Sequence, residues 1–138
     1  MLKLASRTLY GISAVFELAC RHGQGPVRVE DIANKQNIPR NYLDQILLEL
    51  KKSGITQSHR GSKGGYTLAR SPDEITIWEV IQVMQGTVNL AAAASLNSTV
   101  LESYWNERSE EFKTIFQNTF QELVDRWKKH KGKLNYSI

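Results

Sequence analysis

Asn37-Ile38-Pro39-Arg40-Asn41-Tyr42-Leu43-Asp44-Gln45, in the middle of the segment Val27 to Ala69, decides how the rest of the chain is read. Leu43, Ile46, Leu47 and Leu50 fall at i, i+3, i+4 and i+7, the spacing that gives a helix one apolar stripe for docking on a core. The opposite face carries Arg40, Asn41, Tyr42, Gln45 and Glu49 and is left for another task. A shorter amphipathic segment, Val29 to Gln36, precedes it across a turn punctuated by Pro39. Two helices so joined, the second offering hydrogen-bonding side chains near its N-terminus, predict the helix-turn-helix geometry that enters a DNA major groove. An ordinary αα-hairpin is the competing reading of the two helices alone.

Working outward, Ser53-Gly54 ends the helical period and Ile55 to His59 reads as a strand. Gly61, Gly64 and Gly65 permit a tight turn, and Tyr66 to Ala69 reads as the returning strand, so a two-stranded wing is predicted. Its tip, Arg60-Gly61-Ser62-Lys63, pairs two cations with residues of little side chain, which lets backbone approach phosphates or enter a narrow groove. A plain surface hairpin with incidental cations is the alternative. Upstream, Ser6 is the expected cap of a helix from Arg7 to His22 whose stripe is Leu9, Ile12, Val15, Phe16 and Ala19, stopped by Gly23 and Gly25-Pro26. Cys20, in its last turn, reads as a small, partly buried apolar residue. Arg28 stands at the cap of the next helix, where it cannot accept from an amide, so a frayed start is expected there.

Downstream, Thr76 and Glu79 form a capping box that opens a helix with Ile77, Val80, Ile81 and Met84 inward, ending at Gly86. From Thr87 to Ser98 the residues are small and weakly polar, consistent with a loop or with a lead-in to the next helix. A second box, Thr99 with Glu102, starts a helix carrying Leu101, Tyr104, Trp105, Phe112, Ile115 and Phe116, expected to end near Asn118. A third, Thr119 with Glu122, begins a shorter segment holding Phe120, Leu123 and Trp127, followed by the basic run Lys128 to Lys133. So many aromatics after a complete winged unit predict a dimerisation helix, with Leu101, Tyr104, Trp105, Phe112, Ile115 and Phe116 as its contact residues.

Composition bounds the rest. With 138 residues, 41% hydrophobic and 23% charged, the chain suits one well-cored folding unit, divided here into residues 1–86, the DNA-binding part, and 87–138, the linker and dimerisation part. No apolar run approaches a membrane span and no secretory leader is expected, which makes the cytoplasm the expected compartment. The net charge of +4 is uneven: residues 1–70 hold eleven Lys and Arg against five Asp and Glu, whereas 71–138 hold seven against nine. That asymmetry points to a polyanion partner for the first half, or to a merely solvated basic face. One cysteine and three scattered histidines supply no metal-ligand spacing, so no metal site is expected. No nucleophile with a base, no paired carboxylates at helical spacing and no phosphate loop opening a helix are present, so neither catalytic residues nor an enzyme are expected.

Pro26-Val27, Asp31-Ile32-Ala33, Tyr42-Leu43-Asp44-Gln45, Arg60-Gly61, Gly64-Gly65-Tyr66, the Ile75-Thr76 to Gly86 helix and the terminal Tyr136-Ser137-Ile138 together resemble the Rrf-two family of bacterial transcriptional regulators, the group that contains IscR and CymR. The resemblance covers nearly the whole chain. It implies a mainly α-helical, homodimeric winged-helix regulator whose recognition helices, bearing Asn41, Tyr42 and Gln45, read a palindromic operator in double-stranded DNA, with Arg60 reaching toward the minor groove. The expected DNA-contacting set is Arg40, Asn41, Tyr42, Gln45, Arg60, Ser62 and Lys63, with Ser6 and Arg7 at the start of the first helix. Members of the family that bind an iron–sulfur cluster carry three cysteines before the long helix, and Thr87 to Ser98 contains none, so no cofactor held by those ligands is expected. Ala91 to Ala94 leaves open a cluster-sensing regulator whose cysteines were replaced. Without the cluster, the expected signal is a regulatory protein or a small-molecule effector. The expected function is a sequence-specific repressor, and the alternative is a winged-helix module that docks a partner protein.

Overall fold

The computed structural model describes residues 3–91 and 97–136, with side chains as far as residue 133. Ala92 to Ala94, which carry most of the replaced-cysteine reading, and Ser137-Ile138, part of the family resemblance, lie outside the described residues. The elements in order are α1 (Ser6–Cys20), α2 (Val29–Gln36), α3 (Arg40–Lys52), β1 (Thr56–His59), β2 (Gly65–Leu68), a 3₁₀ turn (Pro72–Glu74), α4 (Ile77–Gln85), α5 (Thr99–Thr114) and α6 (Phe120–Tyr136). The fold is a winged helix: mainly helical, with one antiparallel two-stranded sheet.

The predicted stripe of α3 is the one that is buried, with Leu43, Ile46, Leu47 and Leu50 at 1% exposure or less. Asn37 ends α2 in the left-handed conformation, at φ 53°, which an asparagine tolerates better than most residues. Ile38 then sinks into the core and Pro39 starts α3. α1 lies at the centre, packed against α2, α3, α4 and α6.

The inward face of α1 departs from the expected stripe at Leu9, whereas Val15 and Ala19 are buried and Ile12 and Phe16 pack against the core as expected. Thr8, Gly11, Ala14, Val15, Leu18 and Ala19 are buried, while Leu9 is 50% exposed. The reason is a close crossing with α4, because a Cβ on Gly11 would stand 2.9 Å from Met84 Cγ and Sδ. Leu9 faces away from that crossing. Ser6 is not the cap either. Ala5 N–H donates to Gln85 Oε1 at 3.1 Å, which holds Ala5 extended, and its carbonyl accepts from Thr8 N and Leu9 N.

Similar one-residue and four-residue shifts occur in the second half. Ser98, not Thr99, caps α5, accepting from Leu101 N at 3.4 Å. The helix ends at Thr114, not near Asn118, because the chain beyond it turns to serve α4. Trp78 N donates to Phe116 O and Ile77 N to Asn118 O, both at 2.9 Å, and Glu79 N bonds the Thr76 hydroxyl at 3.2 Å. The amides that any helix N-terminus leaves open are thereby satisfied. Thr119 and Glu122 do form a reciprocal capping box, Thr119 N to Glu122 Oε2 at 2.7 Å and Glu122 N to Thr119 Oγ1 at 3.2 Å. The helix they open has 17 residues and is thus longer than the short segment expected. It packs on α1 with Phe120 fully buried and Val124 nearly so, whereas Trp127 is 41% exposed. Residues 87–138 therefore share a core with residues 1–86.

The wing is a tight antiparallel pair in which Thr56, Gln57, Ser58 and His59 face Leu68, Thr67, Tyr66 and Gly65. Val27 adds a bridge to Tyr66, with bonds in both directions at 2.9 Å. Gly65 is required by that approach: at φ 153°, its Cβ would lie 2.2 Å from the Val27 carbonyl oxygen. Gly65→Ala should accordingly destabilise the protein by roughly 1–3 kcal/mol, since backbone and not a mobile side chain must yield. Urea denaturation checks this, and a loss below about 0.5 kcal/mol would show that the bridge to Val27 is not maintained in solution.

Candidate nucleic-acid interface

The free edge of α3 is formed by Asn41, Tyr42, Gln45 and Leu48, all exposed because the other edge is committed to the core. Tyr42 is 51% exposed and its ring lies 6.3 Å from that of Tyr10 on α1, which steadies a long side chain at the surface. Arg60, Ser62 and Lys63 are exposed at the wing tip, and neither cation there has a carboxylate partner among the described residues.

The wing is placed relative to α3 by two sets of bonds. At its base, Thr56 Oγ1 donates to Leu47 O at 3.2 Å and Ile55 N to Leu50 O at 2.9 Å. At its tip, Arg28 Nη2 donates to Ser62 O at 3.1 Å. Arg28 indeed provides no cap to α2, as expected, yet its side chain has this other task, which sequence reasoning missed. The signal was present in the mismatch itself: a long cation where a short acceptor belongs. Two residues on, Glu30 accepts from Arg40 Nη1 at 2.8 Å. The first turn of α2 thus holds both the wing tip and the first residue of α3.

Arg40 is placed differently from the wing cations. Its guanidinium meets Glu30 and also Asp44, the latter at 3.4 Å, with all three side chains at least half exposed. The hydrogen bond that Arg40 donates to the Glu30 carboxylate raises the Arg40 pKa above its ordinary value, and the Asp44 charge adds to it. Glu30 is held below the usual carboxylate range, first by its own backbone amide and then by Arg40. Arg7 is likewise engaged, ion-paired with Glu49 of α3 and donating to Met84 O at 3.1 Å, so that it ties α1 to α3 and to the end of α4. Ser6 beside it is exposed.

The residues expected at a dimer contact separate into two groups. Leu101, Tyr104 and Trp105 on α5 are 51%, 45% and 37% exposed, and Ile115 just past its end is 61% exposed. Phe112 and Phe116 are partly buried against the chain's own core, with their rings edge to face at 5.4 Å. The lead-in to α5 is anchored by Ser109, whose hydroxyl accepts from Leu90 N at 3.0 Å and donates to Trp105 O at 2.8 Å.

The winged-helix fold is shared with known regulators. The family model for Rrf2, described as an iron-dependent transcriptional regulator, matches residues 4–126. The chain belongs to the Rrf2 family. It is 30% identical over 118 residues to the HTH-type transcriptional regulator CymR of Bacillus subtilis, covering 86% of each chain. The solved structure of that CymR, described as the global cysteine regulator of B. subtilis, superposes with a TM-score of 0.81 over 91% of this chain and 98% of its own. The structure of T. potens IscR matches with a TM-score of 0.78 at 31% identity, over 91% and 88%. The Rrf2 family is one of DNA-binding transcriptional regulators and not of enzymes.

The Rrf2 description names iron, and the donor set tests it. An iron–sulfur cluster takes several thiolate ligands, whereas this chain has a single cysteine. Cys20 is half-buried at the end of α1, and its thiol is pushed up to about 11, first by burial and then by the Glu17 carboxylate. Among the described residues no group of three or more His, Cys, Asp and Glu is placed to hold a metal ion. The residues do not fit a cysteine-ligated cluster. Among the described residues, no helix is long and apolar enough to cross a membrane.

Proposed function

We propose that the protein is a sequence-specific repressor that binds a palindromic operator as a homodimer, with residues 1–86 reading DNA and α5 joining two copies. The observation that carries this reading is the double clamp of α2: Arg28 holds the wing tip while Glu30 holds the start of α3, so both DNA-facing parts are kept in one register. Asn41 and Gln45, four residues apart on the free edge, carry amides that donate to and accept from base edges, and Tyr42 reaches phosphate or a thymine methyl. Arg60 suits a narrow A·T-rich minor groove and Lys63 suits phosphate. Arg40, already balanced by two carboxylates, adds less to phosphate affinity than either wing cation. Ser6 and Arg7 belong to the margin of this surface. With no cysteine ligand set, the signal is expected to come from a partner protein or a small molecule.

An operator selected from a random duplex pool supplies the test. Gln45→Ala should cost about 1–3 kcal/mol on that operator and relax discrimination at one position per half-site. Lys63→Ala should weaken all sequences nearly equally and lower the salt slope by about one. If Gln45→Ala leaves the ratio of operator to random-sequence affinity unchanged while Lys63→Ala alters it, the assignment of roles is wrong. Absence of any salt-dependent duplex binding would favour the partner-protein module instead.

A further inference from the structure

Away from this surface, a groove of about 690 Å³ runs between the C-terminal ends of α1 and α2 and the adjoining face of α6, a size within the roughly 300–1,000 Å³ of small-ligand sites. Arg21, Lys35, Lys128 and Lys131 converge on it from three separate stretches of the chain. The one carboxylate in its lining, Glu17, is already taken, accepting from Arg21 Nε at 2.8 Å and from Gln36 Nε2 at 2.9 Å. Lys35 and Lys128 have no carboxylate partner among the described residues. Trp127 forms part of the wall, 41% exposed with Lys131 Nζ 5.2 Å above its ring, beside the buried Val124. Converging cations raise the local potential, and an anion relieves it. An apolar, aromatic wall favours an organic anion over a bare ion, because a flat ring covers surface that water leaves poorly satisfied.

We propose that this groove binds a small organic anion bearing a phosphate or carboxylate group on a flat ring. The site is separate from the DNA-reading edge. Lys35 ends the helix whose other end holds Arg28 and Glu30, and Cys20 lies ten residues beyond the Tyr10 that meets Tyr42, about 15 Å along α1 at a helix's rise per residue. The proposal stands independently of the DNA-binding reading.

The full-length protein titrated with 8-anilinonaphthalene-1-sulfonate, a fluorescent flat organic anion, should bind it saturably and release it to phenyl phosphate or to benzoate. The better competitor identifies the acidic group. Lys35→Glu combined with Lys128→Glu should weaken the probe by about tenfold or more, as should Trp127→Ala, with thermal melting confirming that each variant is folded. Leu101→Asp, on the exposed face of α5, should leave this binding in place. Probe binding that is unaffected by the charge reversals, or abolished by Leu101→Asp instead, overturns the proposal. So does a loss of duplex-DNA affinity in the double variant as large as that of Lys63→Ala, which would assign the groove to the nucleic-acid surface. Because the probe assay contains no DNA, its failure is distinct from a failure of the operator experiment.

Discussion

Phe120→Ala is expected to destabilise the protein by about 3–5 kcal/mol, enough to lower its melting temperature by roughly 10–20 °C. The side chain is fully buried where α6 meets α1 and the 3₁₀ turn, and its amide donates to Ile75 O at 3.0 Å. Truncation to alanine removes most of the ring's buried surface and leaves a cavity that rigid helices on both sides cannot close. Thermal and urea unfolding of the variant measure the loss. A cost under about 1 kcal/mol would mean that α6 does not dock on α1 in solution. For the same reason, cutting the chain after Gly86 is a poor test of dimerisation, since it strips the winged unit of part of its own core.

The second large effect concerns oligomerisation and is tested by substitution on the surface. Leu101 and Trp105 lie four residues apart, on one face of α5, and are half and about one-third exposed in the single chain. Leu101→Asp with Trp105→Asp should convert the proposed dimer to monomers, because two carboxylates on each face would be buried against their own symmetry mates. Linking two half-site readers multiplies affinity by about 10²–10⁴, so operator binding should fall by a factor in that range. Helix content should stay near that of the parent, as neither side chain is in the core. Sedimentation decides it: a double variant that still runs as a dimer removes α5 from the interface.

Much of the recognition unit was legible because its signals are local. Leu43 to Leu50 has a single consistent period, Pro39 punctuates the turn before it, and Thr76 with Glu79 marks the start of α4 within four residues. What was misread depends on contacts distant in sequence. The bond between Ala5 and Gln85 spans 80 residues and moves the start of α1. The bonds from Ile77 and Trp78 to Asn118 and Phe116 break a helical period that reads as continuous. Periodicity reports that a face is covered and not by what, so the surplus of aromatics after residue 99 was read as one dimer stripe. In the structure Phe120 serves the chain's own core, Phe112 and Phe116 pack against its edge, and Leu101, Tyr104 and Trp105 stay outside. At the candidate interface the exposed side chains of α3 were readable from the helical face, whereas the use of Arg28 as a tether required the fold to bring residues 28 and 62 together.

In the proposed DNA-reading role, the tether limits how independently the wing and α3 can move. α2 is a rigid rod of eight residues seated on Ile32, with the wing and the recognition helix fastened to one end and Lys35 at the other. A small tilt of that rod carries wing and helix in the same direction, so contacts in the two grooves of DNA should be gained or lost as a pair and not one at a time. In the proposed DNA-binding role, such a coupling should make intermediate, half-engaged states on DNA short-lived, so that a displacement too small to alter the core could act as a switch.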